Sequence, residues 1–251
     1  MIPYEEATAL SLLYHLNSEP WRNDEAYRSA VYHQEFKEFE SPVCRASLPP
    51  APDSPLSRLI RLRRSCRAYL PRSMPLDSVS ALAAAAYGIV ETAPLEDDAT
   101  FFRRSVPSAG GLFPLELYVF LQRVEGLSDG LYHYDVRGHA LEHLRENRIA
   151  ELAPFLYPYP FIRDANLVFA MAAVFGRNQK KYGPRGYRYT LLEAGHSAQN
   201  ICLRAVELGL GTLCMGGFED SRLNRLLGLE PTREGVVYGV AVGYDAQATP
   251  G

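Results

Sequence analysis

Residues 167–175 read Leu-Val-Phe-Ala-Met-Ala-Ala-Val-Phe, with no polar side chain among them. A run of that length, apolar throughout, fits a strand buried on both faces. Such a strand needs covering layers above and below it. Gly130–Tyr134 and Ala140–Leu144 read as a hairpin around Val136, Arg137 and Gly138, and Leu115–Leu121, Thr212–Met215 and Val236–Val242 as further strands. Hairpins mixed with helices, rather than strict alternation of strand and helix, predict an α+β fold around a mixed sheet.

The helices that would cover this sheet have their own signals. Ser54 followed by Pro55 is an N-cap with proline at the first helical position, opening a short basic helix over Leu56–Arg64. Asp77 is a candidate N-cap for an alanine-rich helix carrying Val79, Leu82, Ala83 and Ala86, which ends near Gly88. A long helix is expected from about Tyr189 to Leu208. Its apolar stripe is Leu191, Ala194, Ala198, Ile201, Ala205 and Leu208, and its second stripe is the polar set Glu193, His196, Asn200, Arg204 and Glu207. Asp220–Leu227 is a further short helix. Residues 41–53 hold four prolines and little periodicity, so 1–53 reads as an N-terminal extension with a proline-rich arm, 54–245 as the core domain and 246–251 as a tail.

Composition narrows the function. The 251 residues are 47% hydrophobic and 22% charged, enough for a sizeable core, and the net charge of −3 gives no global case for nucleic acid or an anionic membrane. No apolar run approaches the length of a membrane span, and no signal peptide opens the chain, so the protein is expected in the cytoplasm. The cysteines at 44, 66, 202 and 214 lack metal-ligand spacing and read as reduced thiols, and the six histidines form no metal-binding pattern, so no metal is expected.

Four stretches could carry chemistry. In Arg63-Arg64-Ser65-Cys66-Arg67, alternate residues would face one way if extended and offer an anion two guanidinium forks and a hydroxyl, although a basic helix end would look the same. Pro107-Ser108-Ala109-Gly110-Gly111-Leu112-Phe113-Pro114 sits before a strand, and its glycines would let backbone N–H groups approach a ligand, or would simply make a tight turn. It lacks the spacing of a dinucleotide or nucleoside triphosphate cradle. Small residues flank the strand in Gly209–Phe218, as they would for close approach of a flat ligand or for ordinary packing. Lys181 and Tyr182, in a basic, tyrosine-rich loop broken by Gly183 and Pro184, are adjacent titratable groups or a solvated surface.

Taken in order, RRSCRAY, PSAGGLFPLELYVF, GLYHYD, KYGPRGYRYTLLEAGHSAQN and GLGTLCMGGF resemble the flavin-dependent nitroreductase fold. Within it, the sequence over about 56–243 is similar to the SagB-type azoline dehydrogenases of thiazole/oxazole-modified peptide biosynthesis. The resemblance implies a mixed, mainly antiparallel sheet flanked by helices, in an intertwined homodimer with FMN at the interface. It implies that Arg63, Ser65 and Arg67 hold the phosphate and ribityl chain, that Pro107, Ser108, Ala109 and Gly110 lie against the isoalloxazine ring, and that Gly216 and Gly217 form a later flavin-contacting turn. It places Lys181 and Tyr182 on the Lys-Tyr pair associated with azoline oxidation. The implied reaction removes the Cα proton of a peptide thiazoline or oxazoline and sends hydride from Cβ to flavin N5. Peptide is then the substrate, and a cyclodehydratase or carrier protein is the partner that the extension could contact. The chain lacks the late Lys or Arg that many relatives give the phosphate, which shifts the task to Arg63, Arg67 and Arg104. It also reads as a unit without a fused cyclodehydratase or carrier module. The rival readings are an NAD(P)H-dependent nitro, quinone or dehydroamino-acid reductase, and a non-catalytic flavin-binding scaffold.

Overall fold

A computed structural model describes residues 4–18, 36–94, 100–146, 148–154 and 159–247. His33, part of the N-terminal extension and the end of the tail lie outside the described residues. The apolar run forms the strand β7 (Leu167–Val174), and all of it but Val174 is buried. It is central because both of its edges are taken. β4 (Leu115–Leu121) pairs with it antiparallel from Leu115–Ala173 to Leu121–Leu167, and β9 (Glu234–Asp245) pairs antiparallel on the other side. Full burial of each large side chain there, such as Leu167, Phe169 and Met171, stabilises the fold by about 1.5–3 kcal/mol.

The sheet extends as expected. β5 (Gly130–Asp135) and β6 (Ala140–Arg145) form the hairpin beyond β4, while β1 (Tyr69–Leu70) and β8 (Gly211–Met215) both pair with β9, all antiparallel. A separate hairpin joins β2 (Ile89–Pro94) to β3 (Thr100–Arg104). One buried cluster lies on each face of the sheet residues. Leu115, Leu117, Phe169 and Met171 belong to one, and Phe120, Val168, Ala170 and Ala172 to the other, the alternation that a pleated strand imposes.

Helices supply the layers. The described helices are α1 (Tyr4–Asn17), α2 (Pro55–Leu62), α3 (Leu76–Tyr87), α4 (Ile149–Leu152), α5 (Phe175–Tyr182), α6 (Arg185–Glu207) and α7 (Asp220–Leu227). Ser54 caps α2, its hydroxyl accepting from the Ser57 N–H at 3.1 Å. The cap of α3 is Pro75 rather than Asp77, which sits in the first turn, where a carboxylate favours the positive end of the helix. Among the described residues no helix is long and apolar enough to cross a membrane.

Two expectations change around the long helix. The stretch that reads as a loop is mostly helical: Lys181 and Tyr182 end α5, and α6 begins at Arg185, four residues before Tyr189. The break between them is confined to Gly183, at φ 56° and ψ −145°, and Pro184. A methyl at Gly186 would lie 2.8 Å from the Asn178 carbonyl carbon, so the two helices cross backbone to backbone. The second change concerns which face is free. Ala194, Ala198, Ile201 and Ala205 are buried in the chain's own core, whereas Leu191, Leu192, Gly195 and His196 are exposed. α2 likewise buries no residue and exposes Leu56, Ile60 and Leu62.

α1 leans on this corner. Gln179 donates to the Ser11 hydroxyl at 2.7 Å, His15 Nδ1 lies 3.1 Å from the Tyr187 hydroxyl, and the His15 ring packs edge-on to Phe175 at 5.0 Å. Residues 42–52 of the proline-rich arm are exposed and carry no helix or strand.

Candidate active site

The turn from Pro107 to Pro114 is where the chain departs most from regular geometry. Gly110 and Gly111 have φ of 63° and 64°, and Phe113, which has a Cβ, has φ of 44°. Left-handed backbone at a bulky residue is strained, so the surroundings must hold it. Ser108 Oγ accepts from the Phe113 N–H at 2.9 Å, and the Gly111 N–H reaches the Ser108 carbonyl at 3.1 Å. Arg177 of α5 donates to the Phe113 carbonyl at 3.1 Å and pairs with Glu116. The Phe113 ring packs edge-on to Tyr87 at 6.0 Å.

Lys181 and Tyr182 converge on this turn. A methyl at Gly110 would sit 2.6 Å from the Tyr182 hydroxyl and 3.0 Å from Lys181 Nζ. The ammonium lies 5.4 Å from the centroid of the Tyr182 ring, and Tyr189 stands edge-on to that ring at 5.1 Å. Lys181 is exposed and Tyr182 half-buried, so the pair is open to a substrate. Of the two adjacent lysines, it is Lys181 whose Nζ reaches Gly110.

A second group is strung along β8: Ser65 lies beside its start with Arg63 and Arg67 two residues to either side, and Gly216 and Gly217 follow its end. Arg63 is the C-cap of α2. The chain then runs extended beside β8, with a parallel bridge between Ser65 and Thr212 and a Cys66 N–H bond to the Thr212 carbonyl at 2.8 Å. Cys66 points inward and is buried, while Ser65 and Arg67 are exposed, as alternation requires. β8 leads into Gly216 and Gly217. A methyl at Gly216 would meet nothing closer than the Tyr238 ring at 3.8 Å. Among the described residues, no hydrogen bond or ring contact joins this group to the Gly110 turn.

Two cysteines sit beside the second group. Cys202 and Cys214 have their sulfurs 3.6 Å apart, and Thr212 donates to Cys202 at 3.4 Å. The Cys214 hydrogen bond lowers the pKa of the Cys202 thiol, and Thr212 and Arg63 add to that, while Cys214 keeps its proton. Burial pushes the Cys66 thiol up to about 11, so it stays protonated. Among the described residues no group of three or more metal-ligating side chains converges. His139 instead bonds Ser80 and Tyr134 at 2.8 Å each, and His143 stacks on Tyr132.

Sequence reasoning misplaced one residue and missed several. Arg104, a candidate for the phosphate, has its guanidinium over the rings of Tyr87 and Phe113 at 4.5 and 4.6 Å. Glu193, assigned to a polar stripe, is 1% exposed and accepts a hydrogen bond from the Tyr87 hydroxyl. Burial raises its carboxyl pKa, opposed by the Ser108 and Tyr87 hydroxyls and by Arg104. A glutamate spaced like core alanines on a helix is the signal that could have exposed it.

A pH-dependent brace lies behind the turn. Glu116 takes Arg177 on one oxygen and His133 on the other at 3.0 Å, and His133 also meets Glu142 at 2.8 Å. The Glu116 hydrogen bond is the largest influence raising the His133 pKa. Burial pushes Glu116 up, but His133 and Arg177 outweigh it and leave it lowered. The His133 contribution to stability is therefore complete below its unfolded value of about 6.5 and fades as pH rises through its higher folded value. The Glu116 contribution is present above its ordinary range of about 4.3 and fades as pH falls through its lowered value. Melting curves of the wild type and His133→Gln should differ most below about pH 6.5, the unfolded value, and draw together as pH rises above it. A constant difference would contradict the brace.

A model of the nitroreductase family matches residues 60–244. The chain belongs to the nitroreductase family. This family member is 36% identical over 181 residues to the protein named "Putative nitroreductase MJ1384" of Methanocaldococcus jannaschii, covering 72% of this chain and 87% of that protein. It is 28% identical over 182 residues to the trifolitoxin-processing protein TfxB of Rhizobium leguminosarum bv. trifolii, covering 70% of this chain but 49% of that one, so it spans about half of that relative. A chain of the E. coli microcin synthetase McbBCD complex, solved with truncated pro-MccB17 bound, superposes with a TM-score of 0.72 at 19% identity, covering 95% of this chain and 93% of that one. A Desulfovibrio desulfuricans structure in complex with FMN superposes at 0.55 with 20% identity, covering 80% and 92%. At such identities these structures establish the α+β fold, with its mainly antiparallel sheet, and nothing finer.

The residues of this nitroreductase-family chain fit FMN. Gly110 presents bare backbone at positive φ beside a cation and a phenol, and the open side of Gly216 leaves room for a flat group. The exposed Ser65 and Arg67 and the half-buried Arg63 are the donor types that a phosphate takes.

Proposed function

We propose that the protein is an FMN-dependent dehydrogenase that oxidises thiazoline or oxazoline rings in a peptide to thiazole or oxazole. The observation that carries this reading is the convergence of Lys181 Nζ and Tyr182 Oη on Gly110. Bound FMN would supply the two-electron acceptor. The chain's own residues supply the rest. The Cα proton of an azoline is acidified by the ring imine and the adjacent carbonyl. Tyr182 and Lys181 form the pair that takes this proton and stabilises the resulting anion. Loss of hydride from Cβ then completes an aromatic ring, so the substrate gives up two hydrogens. Arg63, Ser65 and Arg67 would hold the phosphate, and Pro107, Ser108, Ala109, Gly110, Gly216 and Gly217 would lie along the flavin.

The rest of the assembly follows the same reading. Residues 54–245 are the flavin domain, and 1–53 are an N-terminal extension whose proline-rich arm would contact a cyclodehydratase or carrier protein in the cytoplasm. The exposed Leu56, Ile60 and Leu62 of α2 and Leu191 and Leu192 of α6 are apolar surface that a homodimer would cover. The similarity to a trifolitoxin-processing protein supports a role in maturing a ribosomally made peptide. The 36% identity to a protein named as a nitroreductase supports the rival, a reductase driven by NAD(P)H.

One assay separates these. Purified protein should carry or take up FMN and, in air, convert an azoline-containing peptide to a product lighter by two hydrogens per ring, with little consumption of NAD(P)H. Rapid NAD(P)H-dependent reduction of a nitro compound with no azole formed would make it the reductase. Protein that takes up no FMN would make it a scaffold.

A further inference from the structure

Glu193 is a carboxyl buried inside a helix–sheet seam, and the redox reading gives it no task. Its contacts are unusual in their placement. Its Oε1 accepts from the Tyr87 hydroxyl. The Tyr87 hydroxyl in turn accepts from the Leu115 N–H at 3.2 Å, and Ser108 Oγ accepts from the Phe113 N–H at 2.9 Å. Ser108 opens the strained turn and Leu115 follows its last residue. One carboxyl on α6 therefore holds, through Tyr87, the Leu115 end of the segment that bears Gly110, while Ser108 ties the turn to itself. Arg104 closes the cluster over Tyr87 and Phe113, and both its Nε and Glu193 Oε2 are buried without a hydrogen bond among the described residues. A glutamate kept here at the expense of desolvation has work that an alanine, the residue type at neighbouring core positions of α6, would not do.

We propose that Glu193 is a positioning residue: through Tyr87 it clamps the Leu115 end of the Ser108–Leu115 turn and so sets Gly110 against Lys181 and Tyr182. The clamp is a property of the chain alone; its effect on turnover rests on the dehydrogenase reading above. Losing it frees the turn without removing any group that meets substrate, so the chemical step slows while peptide binding holds. Glutamine keeps an acceptor oxygen of the same reach and preserves the clamp. Leucine fills the space and removes it.

The test is hydrogen exchange of the full-length protein, followed peptide by peptide, for the wild type and for Glu193→Gln, Glu193→Leu and Tyr87→Phe, with azoline oxidation measured alongside. Tyr87→Phe keeps the ring and its packing and removes only the bridging hydroxyl, so it serves even if Glu193→Leu does not fold. Amides of residues 108–115 should exchange about tenfold faster in Glu193→Leu and Tyr87→Phe, the change expected for one lost buried hydrogen bond, with the strands β7 and β9 unaffected. Glu193→Gln should match the wild type. In an active wild type, kcat should fall about tenfold in the two disrupted variants with KM for peptide unchanged. Exchange at 108–115 equal to the wild type, or raised equally through the whole chain, would overturn the clamp. A wild type that oxidises no azoline, with the exchange pattern as expected, would overturn the dehydrogenase reading and leave the clamp standing.

Discussion

Gly110→Ala should lower azoline turnover about a hundredfold while the protein still folds. The new methyl would sit 2.6 Å from the Tyr182 hydroxyl, closer than carbon approaches, and a tight 3.0 Å from Lys181 Nζ, and both are ends of side chains that can swing away. Turn and pair would then part by roughly 1 Å, a displacement that can cost 10²-fold when reacting groups must be aligned. Alanine at φ 63° adds a destabilisation of about 1–2 kcal/mol, small enough for the fold to persist. Near-normal turnover by Gly110→Ala would mean that Lys181 and Tyr182 do not act across this glycine. Gly111→Ala is a control of similar backbone strain, since its methyl would meet the Phe101 ring instead.

Lys181→Ala and Tyr182→Phe should have the larger effect on chemistry and little on the fold. Lys181 is exposed at the end of α5, so truncating it loses almost no packing. Tyr182→Phe keeps the edge-on contact with Tyr189 and removes only the hydroxyl. A positioned acid or base contributes about 10²–10⁴-fold. Each variant should lose azole formation by that order, with FMN affinity close to the wild type because Arg63, Ser65 and Arg67 lie in the other group. A reductase of the same fold would lose little, since its substrate needs no Cα proton removed.

How much of this could be read in the sequence depended on whether the deciding physics was local. The β7 run was legible because burial on both faces writes itself as an unbroken apolar stretch, and α7 was legible at Asp220–Leu227 to the residue. The start of α6 was misread because Gly183 and Pro184 usually open a loop; here the two residues make the whole turn, and helix continues on both sides. The free face of α6 was misassigned because periodicity finds a stripe without saying what covers it. Ala194 and Ala198 meet the chain's own core, and Gly195 faces out. Glu193 was hidden because its partner Tyr87 is 106 residues away, and only the fold brings a phenol to a helical glutamate. The candidate site shows the same division. The types of residue in each motif were readable, and so was the order of the motifs. That Gly110 meets Lys181 and Tyr182, while Ser65 and Gly216 belong to the neighbourhood of β8, depends on how β4, α5 and β8 are placed by the sheet.

The most direct measurement is a single turnover without oxygen. Wild type, Lys181→Ala and Tyr182→Phe, each loaded with FMN to equal occupancy, are mixed with an azoline-containing peptide, and the visible flavin absorbance and the peptide mass are followed together. The wild type should bleach as the peptide loses two hydrogens, and both variants should do so at least about a hundredfold more slowly. Variants that bleach and oxidise the peptide at the wild-type rate would contradict the assignment of Lys181 and Tyr182 as the pair that removes the proton.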